Sequence, residues 1–374
     1  MAPRCSPDGR PVITGYNFAA GPSVLPEAVL AEAREGLDNW AGSGQSVMEI
    51  PFTGEAFARI HDEAVATLRN LLEIPPDYHV LLLQGGAYGQ FSLLPMNLLR
   101  GRECADYALT GHWSQRAANE AKRYCRVNIA ADGASSGYTA IPDWSAWSLD
   151  PTAAYCHITT NETANGVRFR ELPDTGRVPL VADITSDFLM APLDIRRFGL
   201  VYASAQKNAG IAGLTVVIVK QALLGRALPI TPTVFNYELL AASNSRVNTP
   251  PVWAIYMAGL VFKWIQAEGG LGEMAVRNRR HAGWLYRTID ESGFYHCRAA
   301  EAARSPVNVC FELPTPRLER AFLAEARERR LHNLKGHAAA TGLRASLYNA
   351  VSESAVAALV SFMRDFALRH ASVA

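Results

Sequence analysis

A lysine and an aspartate, each at the end of an apolar run, carry the strongest chemical signal in this 374-residue chain. Lys207 lies in Ser204-Ala-Gln-Lys-Asn-Ala-Gly, between the strand-like runs Leu200-Val-Tyr-Ala and Leu214-Thr-Val-Val-Ile-Val. Asp183 closes another apolar run, Val178-Pro-Leu-Val-Ala. Charge is costly beside buried strands, so neither residue is an obvious filler. An amine there can form a Schiff base with an aldehyde cofactor, and a carboxylate can pair with a protonated pyridine nitrogen. Taken alone, the two residues are equally compatible with a surface lysine and a helix-capping aspartate.

A second signal follows the apolar strand Val80-Leu-Leu-Leu, where Gln84-Gly-Gly-Ala-Tyr-Gly-Gln precedes a helical run expected from Phe91. Glycines between a strand and a helix start leave backbone N–H groups free to hold a phosphate. Most such turns are only turns. The stretch lacks both the GxxxxGK[ST] and the GxGxxG spacing, which argues against an ATPase or a dinucleotide fold and leaves a mononucleotide or a cofactor monophosphate open. Combined with the lysine and aspartate, a phosphate cradle points to pyridoxal phosphate.

These groups need a scaffold, and the length and composition limit which one. The length exceeds a single compact core, so two domains are expected. Hydrophobic residues make up 49% and charged residues 19%, as in soluble globular enzymes. A net charge of +1 argues against binding to nucleic acid or to an anionic membrane through bulk electrostatics. No apolar run reaches the roughly 18 residues of a membrane span. Cys5, Cys104, Cys125, Cys156, Cys297 and Cys310 are widely spaced without a CxxC pair. That pattern favours reduced, mostly buried thiols over a disulfide framework or a zinc site, and no metal is expected. The first ten residues lack the apolar segment of a secretory signal, and a cytoplasmic location follows as an expectation.

Helical and strand-like patterns alternate, which predicts an α/β architecture around a mostly parallel sheet. Helices are expected over 26–39, 56–72 and 253–267, and strands over 105–109, 154–158 and 180–183. Composition becomes rich in Arg and Glu after Gly272, and Glu268-Gly-Gly could end the long apolar helix. A strand over 307–313 and helices over 317–330 and 354–369 then suit a smaller α/β domain. The expected division is a disordered tail over 1–15, an N-terminal segment over 16–27 packing with the small domain, a large domain over 28–266, and a small domain over 267–374.

Six motifs occur in order: Asn17-Phe-Ala-Ala-Gly-Pro, Ser46-Val-Met-Glu, Asn161-Glu-Thr, Ala203-Ser-Ala-Gln-Lys-Asn, Asn248-Thr-Pro-Pro and Leu343-Arg-Ala-Ser-Leu-Tyr-Asn-Ala. With them the chain resembles the phosphoserine aminotransferase family, class V, of fold-type I pyridoxal phosphate enzymes, from about Tyr16 to the C-terminal helix. The resemblance implies a large domain with a mainly parallel seven-stranded sheet and a smaller C-terminal α/β domain. It makes Lys207 the Schiff-base lysine and proton shuttle, Asp183 the partner of the pyridine nitrogen, and Trp113 the ring that stacks on the cofactor. It gives Thr163 a hydrogen bond to the phenolic oxygen, and assigns Gln206 and the Ala87-Tyr88 backbone to the phosphate. Asn248 and Thr249 would reach that phosphate from a second subunit, so a homodimer with shared sites is implied. Arg344 would clamp the substrate carboxylate, and Ala20, Phe52, Thr53 and His337 would also meet substrate. The substrates implied are an amino acid and a 2-oxo acid.

The sequence departs from that family at three arginine positions. The His-Arg pair after Met48-Glu49 reads Phe52-Thr53, an arginine found in one branch is Tyr88, and Gly-His-Arg reads Gly336-His337-Ala338. A hydrogen bond to a charged group contributes about 1.5–3 kcal/mol, so losing two would cost roughly 3–6 kcal/mol if they added. That corresponds to about two to four orders of magnitude in affinity. The departures predict a transaminase whose substrate is no longer phosphoserine but a neutral amino acid, or a smaller anion held by His337, in a pocket lined by Phe52 and Tyr88. The alternative is a genuine phosphoserine:2-oxoglutarate aminotransferase, with Arg168 and Arg170, on one face of a strand, rebuilding the anion site. A desulfurase or lyase, or an idle scaffold, is a further alternative; no cysteine sits in a recognised desulfurase motif.

Overall fold

The computed structural model describes residues 15–99 and 101–371. All but Gly15 of the tail expected over 1–15, and with it Cys5, lies outside the described residues.

Seven strands form the main sheet: β1 (Tyr78–Leu83), β2 (Cys104–Leu109), β3 (Arg126–Asp132), β4 (Cys156–Thr159), β5 (Leu180–Asp183), β6 (Leu200–Ser204) and β7 (Thr215–Lys220). Their order is β1-β7-β6-β5-β4-β2-β3. Only β7 runs against its neighbours, pairing antiparallel with β1 and β6. The β-branched and leucine runs suit strands covered on both faces. Val80 and Leu82 face one core while Leu81 and Leu83 face another, and Val216 and Val217 divide in the same way. That alternation is the period of two expected for a strand.

On the first face lie α1 (Glu27–Asn39), α2 (Glu55–Leu72) and α6 (Val252–Ala267). Phe57, Ile60, Ala64, Leu68 and Leu72 recur along α2 at helical spacing and bury against α6, which is apolar nearly all round. On the second face lie α3 (Gly86–Leu98), α4 (His112–Ala121) and α5 (Tyr237–Ala242). Helix α3 starts at Gly86, five residues before the expected Phe91, because Gly85 and Gly86 take the left-handed backbone that turns the chain directly out of β1.

A further core is built by α7 (Gly270–Ser292), the antiparallel pair β8 (Asn308–Phe311) and β9 (Leu343–Ser346), α8 (Pro316–Glu328) and α9 (Glu353–His370). Helix α7 serves both ends of the molecule: Leu271 and Met274 join the first core, and Leu285 and Ile289 join this one. Phe18 is buried in the same core, and Tyr16–Asn17 pairs in parallel with Leu331–His332. Cys104 and Cys156 are buried and Cys125, Cys297 and Cys310 half-buried, all as free thiols. Among the described residues, no helix is long and apolar enough to cross a membrane.

Candidate active site

The parallel strands deliver their C-terminal ends to one edge of the sheet, where loops must leave it. Register places Asp183 beside Thr159 on β4 and Tyr202 on β6. Lys207 follows β6 by three residues, in the turn over 205–210. Together with the starts of α3 and α4 and the loop carrying His337, these ends enclose a cavity of about 390 Å³. Its lining includes Ala20, Ala87, Tyr88, Trp113, Thr163, Asp183, Gln206, Lys207, His337 and Arg344.

Asp183 is 5% exposed, and its Oδ1 accepts the Thr185 N–H at 2.9 Å. Burial pushes its carboxyl above the ordinary carboxylate range, while the Thr185 hydrogen bonds and the Lys207 charge pull it back. Burial acts on Lys207 in the opposite sense and pushes its amine down to about 8, against the attraction of Asp183. The Lys207 Nζ donates to Thr163 Oγ1 at 2.5 Å, and the Thr163 carbonyl accepts from Arg344 Nη1 at 3.0 Å. Thr163 therefore links the amine to the guanidinium. Arg344 is buried on β9, and its Nε has no hydrogen-bond partner.

The N-terminal segment lies directly on the lysine turn. Ser23 N donates to the Gln206 carbonyl at 2.9 Å, and Ser23 Oγ donates to the Lys207 carbonyl. A Cβ at Gly21 would stand 3.3 Å from the Lys207 Cγ, and φ is +137° there, so this close approach requires glycine.

The motifs give Glu162 no role, yet it builds one wall. It is fully buried and accepts from Trp113 N and Ser114 N, each at 2.9 Å, and from Ser114 Oγ at 2.7 Å. A carboxylate thus caps the first turn of α4 and fixes where Trp113 points. Burial pushes the Glu162 carboxyl up, and the hydrogen bonds from Ser114 and Trp113 pull it down. A Cβ at Gly111 would stand 2.5 Å from Asn165 and 2.6 Å from Glu162, so only glycine lets the helix start pack this closely. The signal that could have found Glu162 is an acid held between Asn161 and Thr163 in a motif that itself contains no basic residue.

Several other residues singled out from the sequence lie elsewhere. Asn248 and Thr249 are exposed and outside the cavity, with the Thr249 carbonyl accepting from Gln84 Nε2 at 3.1 Å. Phe52 packs half-buried against the first core and Thr53 is exposed, so within its own chain the cavity is not lined by Phe52. The apolar residues leading into α2 hold that loop against the helices instead. Arg168 and Arg170 do not act together at the cavity: Arg168 Nε pairs with Asp187 at 3.2 Å and Arg170 Nη2 donates to the Glu301 carbonyl at 2.9 Å. The strand expected to align them ends at Arg168. Ala338 is exposed, next to His337.

The donor set fits pyridoxal phosphate. Trp113 Nε1 and Thr159 Oγ1 are buried without partners at the cavity wall, together with the Arg344 Nε. Gly85 and Gly86 open the first turn of α3, where Ala87 N–H donates to Ser204 Oγ at 2.6 Å and marks the amides that a phosphate would share. An amine, an acid, an aromatic side chain and a hydroxyl surround the remaining space. Among the described residues, no cluster of His, Cys, Asp and Glu could hold a metal ion.

Comparison with known proteins agrees with this geometry. The sequence profile of aminotransferase class-V matches residues 15–359. The phosphoserine aminotransferase of Laribacter hongkongensis is 53% identical over 359 residues, covering 96% of this chain and all of that protein. The solved phosphoserine aminotransferase of Bacillus circulans subsp. alkalophilus superposes with a TM-score of 0.93 at 42% identity, over 95% of this chain and 99% of that one. The pyridoxal phosphate-bound phosphoserine aminotransferase of Trichomonas vaginalis gives 0.90 at 36%, over 94% and 99%. These relatives overturn the sequence reading of a transaminase turned away from phosphoserine. That reading rested on the joint loss of arginine at positions 53, 88 and 338, and a pocket's charge can come from other elements that fold beside it.

Proposed function

This chain belongs to the aminotransferase class-V family, and from that premise we propose that it is a phosphoserine:2-oxoglutarate aminotransferase. It is a pyridoxal phosphate-dependent transaminase acting on amino acids and 2-oxo acids. One observation carries the choice of phosphoserine: 53% identity to the Laribacter hongkongensis phosphoserine aminotransferase across 96% of this chain.

When bound, the cofactor supplies an electron-withdrawing ring and a carbonyl that carries the amino group between substrates. Lys207 holds the group and moves the substrate's α-proton at its Nζ, and an amine pushed down to about 8 suits both tasks near neutral pH. The buried carboxylate of Asp183 would hold a protonated ring nitrogen, and Thr163, which accepts from the Lys207 amine, would also hold a ring oxygen. The Trp113 indole, positioned by Glu162, would cover the ring. The first-turn amides of α3, with Ser204 and Gln206, would hold the phosphate. The guanidinium of Arg344, with Nε free, clamps the substrate α-carboxylate.

The division into a tail over 1–15, an N-terminal segment over 16–27, a large domain over 28–266 and a small domain over 267–374 belongs to the same reading. So does a homodimer, in which the exposed Asn248 and Thr249 complete the partner's phosphate site. The enzyme is placed in the cytoplasm. Steady-state kinetics with phosphoserine and 2-oxoglutarate test the central claim. We expect saturable formation of glutamate; no turnover above background with millimolar phosphoserine sinks it.

A further inference from the structure

With phosphoserine as substrate, the reading on which this inference rests, the chain must hold a dianion without arginine at positions 53, 88 and 338. At the open end of the cavity, Tyr88 is 51% exposed and meets Trp113 edge-on, with ring centroids 6.2 Å apart. Over the outer part of this cluster lies Arg116, whose Cζ stands 5.1 Å from the centre of the Tyr88 ring. Arg116 follows Trp113 by one turn of α4 and His112 by four residues, so all three share a face of the helix. The His112 ring in turn lies 4.7 Å from the His337 ring, and His337 lies 5.7 Å from Trp113.

We propose that Arg116 is the specificity-determining cation of the side-chain subsite, binding the substrate phosphate together with His337 and His112. At position 88, where one branch of the family carries a guanidinium, this chain has a tyrosine, and the fold lays the Arg116 guanidinium over its ring. Stacking on an aromatic face leaves the in-plane N–H groups of a guanidinium free to donate. Arg116 makes no ion pair with a carboxylate among the described residues, so its charge is not already neutralised. The other two cations at the cavity have separate tasks, Lys207 at the cofactor and Arg344 at the α-carboxylate. Burial first, and then the neighbouring charges, lower both imidazoles from their ordinary value, so neutral rings stand beside a permanent cation. Such rings donate hydrogen bonds to an arriving phosphate, and its negative charge favours their protonation.

The holoenzyme, as wild type, Arg116→Gln and Arg116→Lys, is compared with phosphoserine and with serine as amino donors. The ratio of kcat/KM for phosphoserine over serine should fall by roughly tenfold to a hundredfold in Arg116→Gln, the size expected on losing a hydrogen bond to a charged group. The loss should appear in KM for phosphoserine rather than in kcat, and Arg116→Lys should restore much of it. An unchanged ratio in Arg116→Gln overturns the subsite and leaves the proposed reaction standing. Failure of the wild type to use phosphoserine overturns the proposed reaction instead. The subsite is then read with inorganic phosphate as inhibitor of the holoenzyme: weaker inhibition of Arg116→Gln supports it, and equal inhibition overturns it.

Discussion

At the Lys207 end of the cavity the ionisable groups come from strand ends and the loops that leave them, and they lie buried among hydrogen-bond partners; at the Tyr88 end they come from a helix face and a loop, half in water. Asp183 and Glu162 are 5% and 0% exposed, whereas Tyr88 is 51% exposed. Each buried charge needs its own partner, so one end tolerates almost no change: Asp183 needs the Thr185 amide, and Glu162 needs Trp113 and Ser114. The exposed end carries no such obligation. There a substitution leaves no buried charge without a partner. In this chain the reacting groups thus sit where desolvation makes each one costly, and the groups around Tyr88 where exposure makes a change cheap.

The sharpest way to break this contrast is at its buried end. Lys207→Ala should lower kcat by at least about a thousandfold and remove the visible band of the bound cofactor. Turnover close to wild type would end the reading of this residue. Asp183→Asn keeps the shape and removes the charge, and should cost about a hundredfold in kcat, as losing a preorganised electrostatic partner does. A loss of less than threefold, measured with saturating substrates, would mean that the ring nitrogen is held by another group.

Protonation gives a smaller and more graded effect. Folding lowers the Lys207 amine from 10.5 to about 8, so the unfolded chain binds more protons between those values. The stability of the apoprotein should therefore rise with pH across that window. Capture of pyridoxal phosphate by the apoprotein, followed by its absorbance, should quicken roughly tenfold from pH 7 to pH 9, because the neutral amine rises from about a tenth to about nine-tenths of the total. A rate that climbs only above pH 10 would contradict the lowered value. At the exposed end, Tyr88→Ala removes a cation–π contact of about 0.5–1 kcal/mol. It should raise KM for phosphoserine only about two- to fivefold. A collapse of kcat in this variant would erase the difference between the two ends.

The sheet and the buried site were legible to different degrees along the chain. Runs such as 80–83 and 214–219 declare their strands locally, and the glycines at 85 and 86 mark a turn. Helix α4 and strand β3 carry no comparable local signal. The first-turn N–H groups of α4 are held by Glu162, 49 residues from Trp113, and the local cap is only Ser114 Oγ accepting from Gly111 N at 3.1 Å, so the helix start is weakly announced. Strand β3 mixes polar and apolar residues at the edge of the sheet, where one side is exposed. Among the site residues, Lys207, Asp183, Trp113, Thr163 and Arg344 meet at one cavity, while Phe52 and Thr53 do not join them in their own chain.

The reacting groups could be read from the order of residues with no structure in hand. An amine and an acid at the ends of apolar runs are constrained by the cost of burying charge, and that cost is written in residue type and spacing. The family was equally readable, through motifs whose order survives wherever the chain folds. Which arginine serves the anion was settled only by folding. Arg116 looks like any surface cation along the chain, and the packing of α4 sets its charge over the ring of Tyr88, which lines the cavity. Coulombic interaction depends on distance through space, and separation along the chain does not report it.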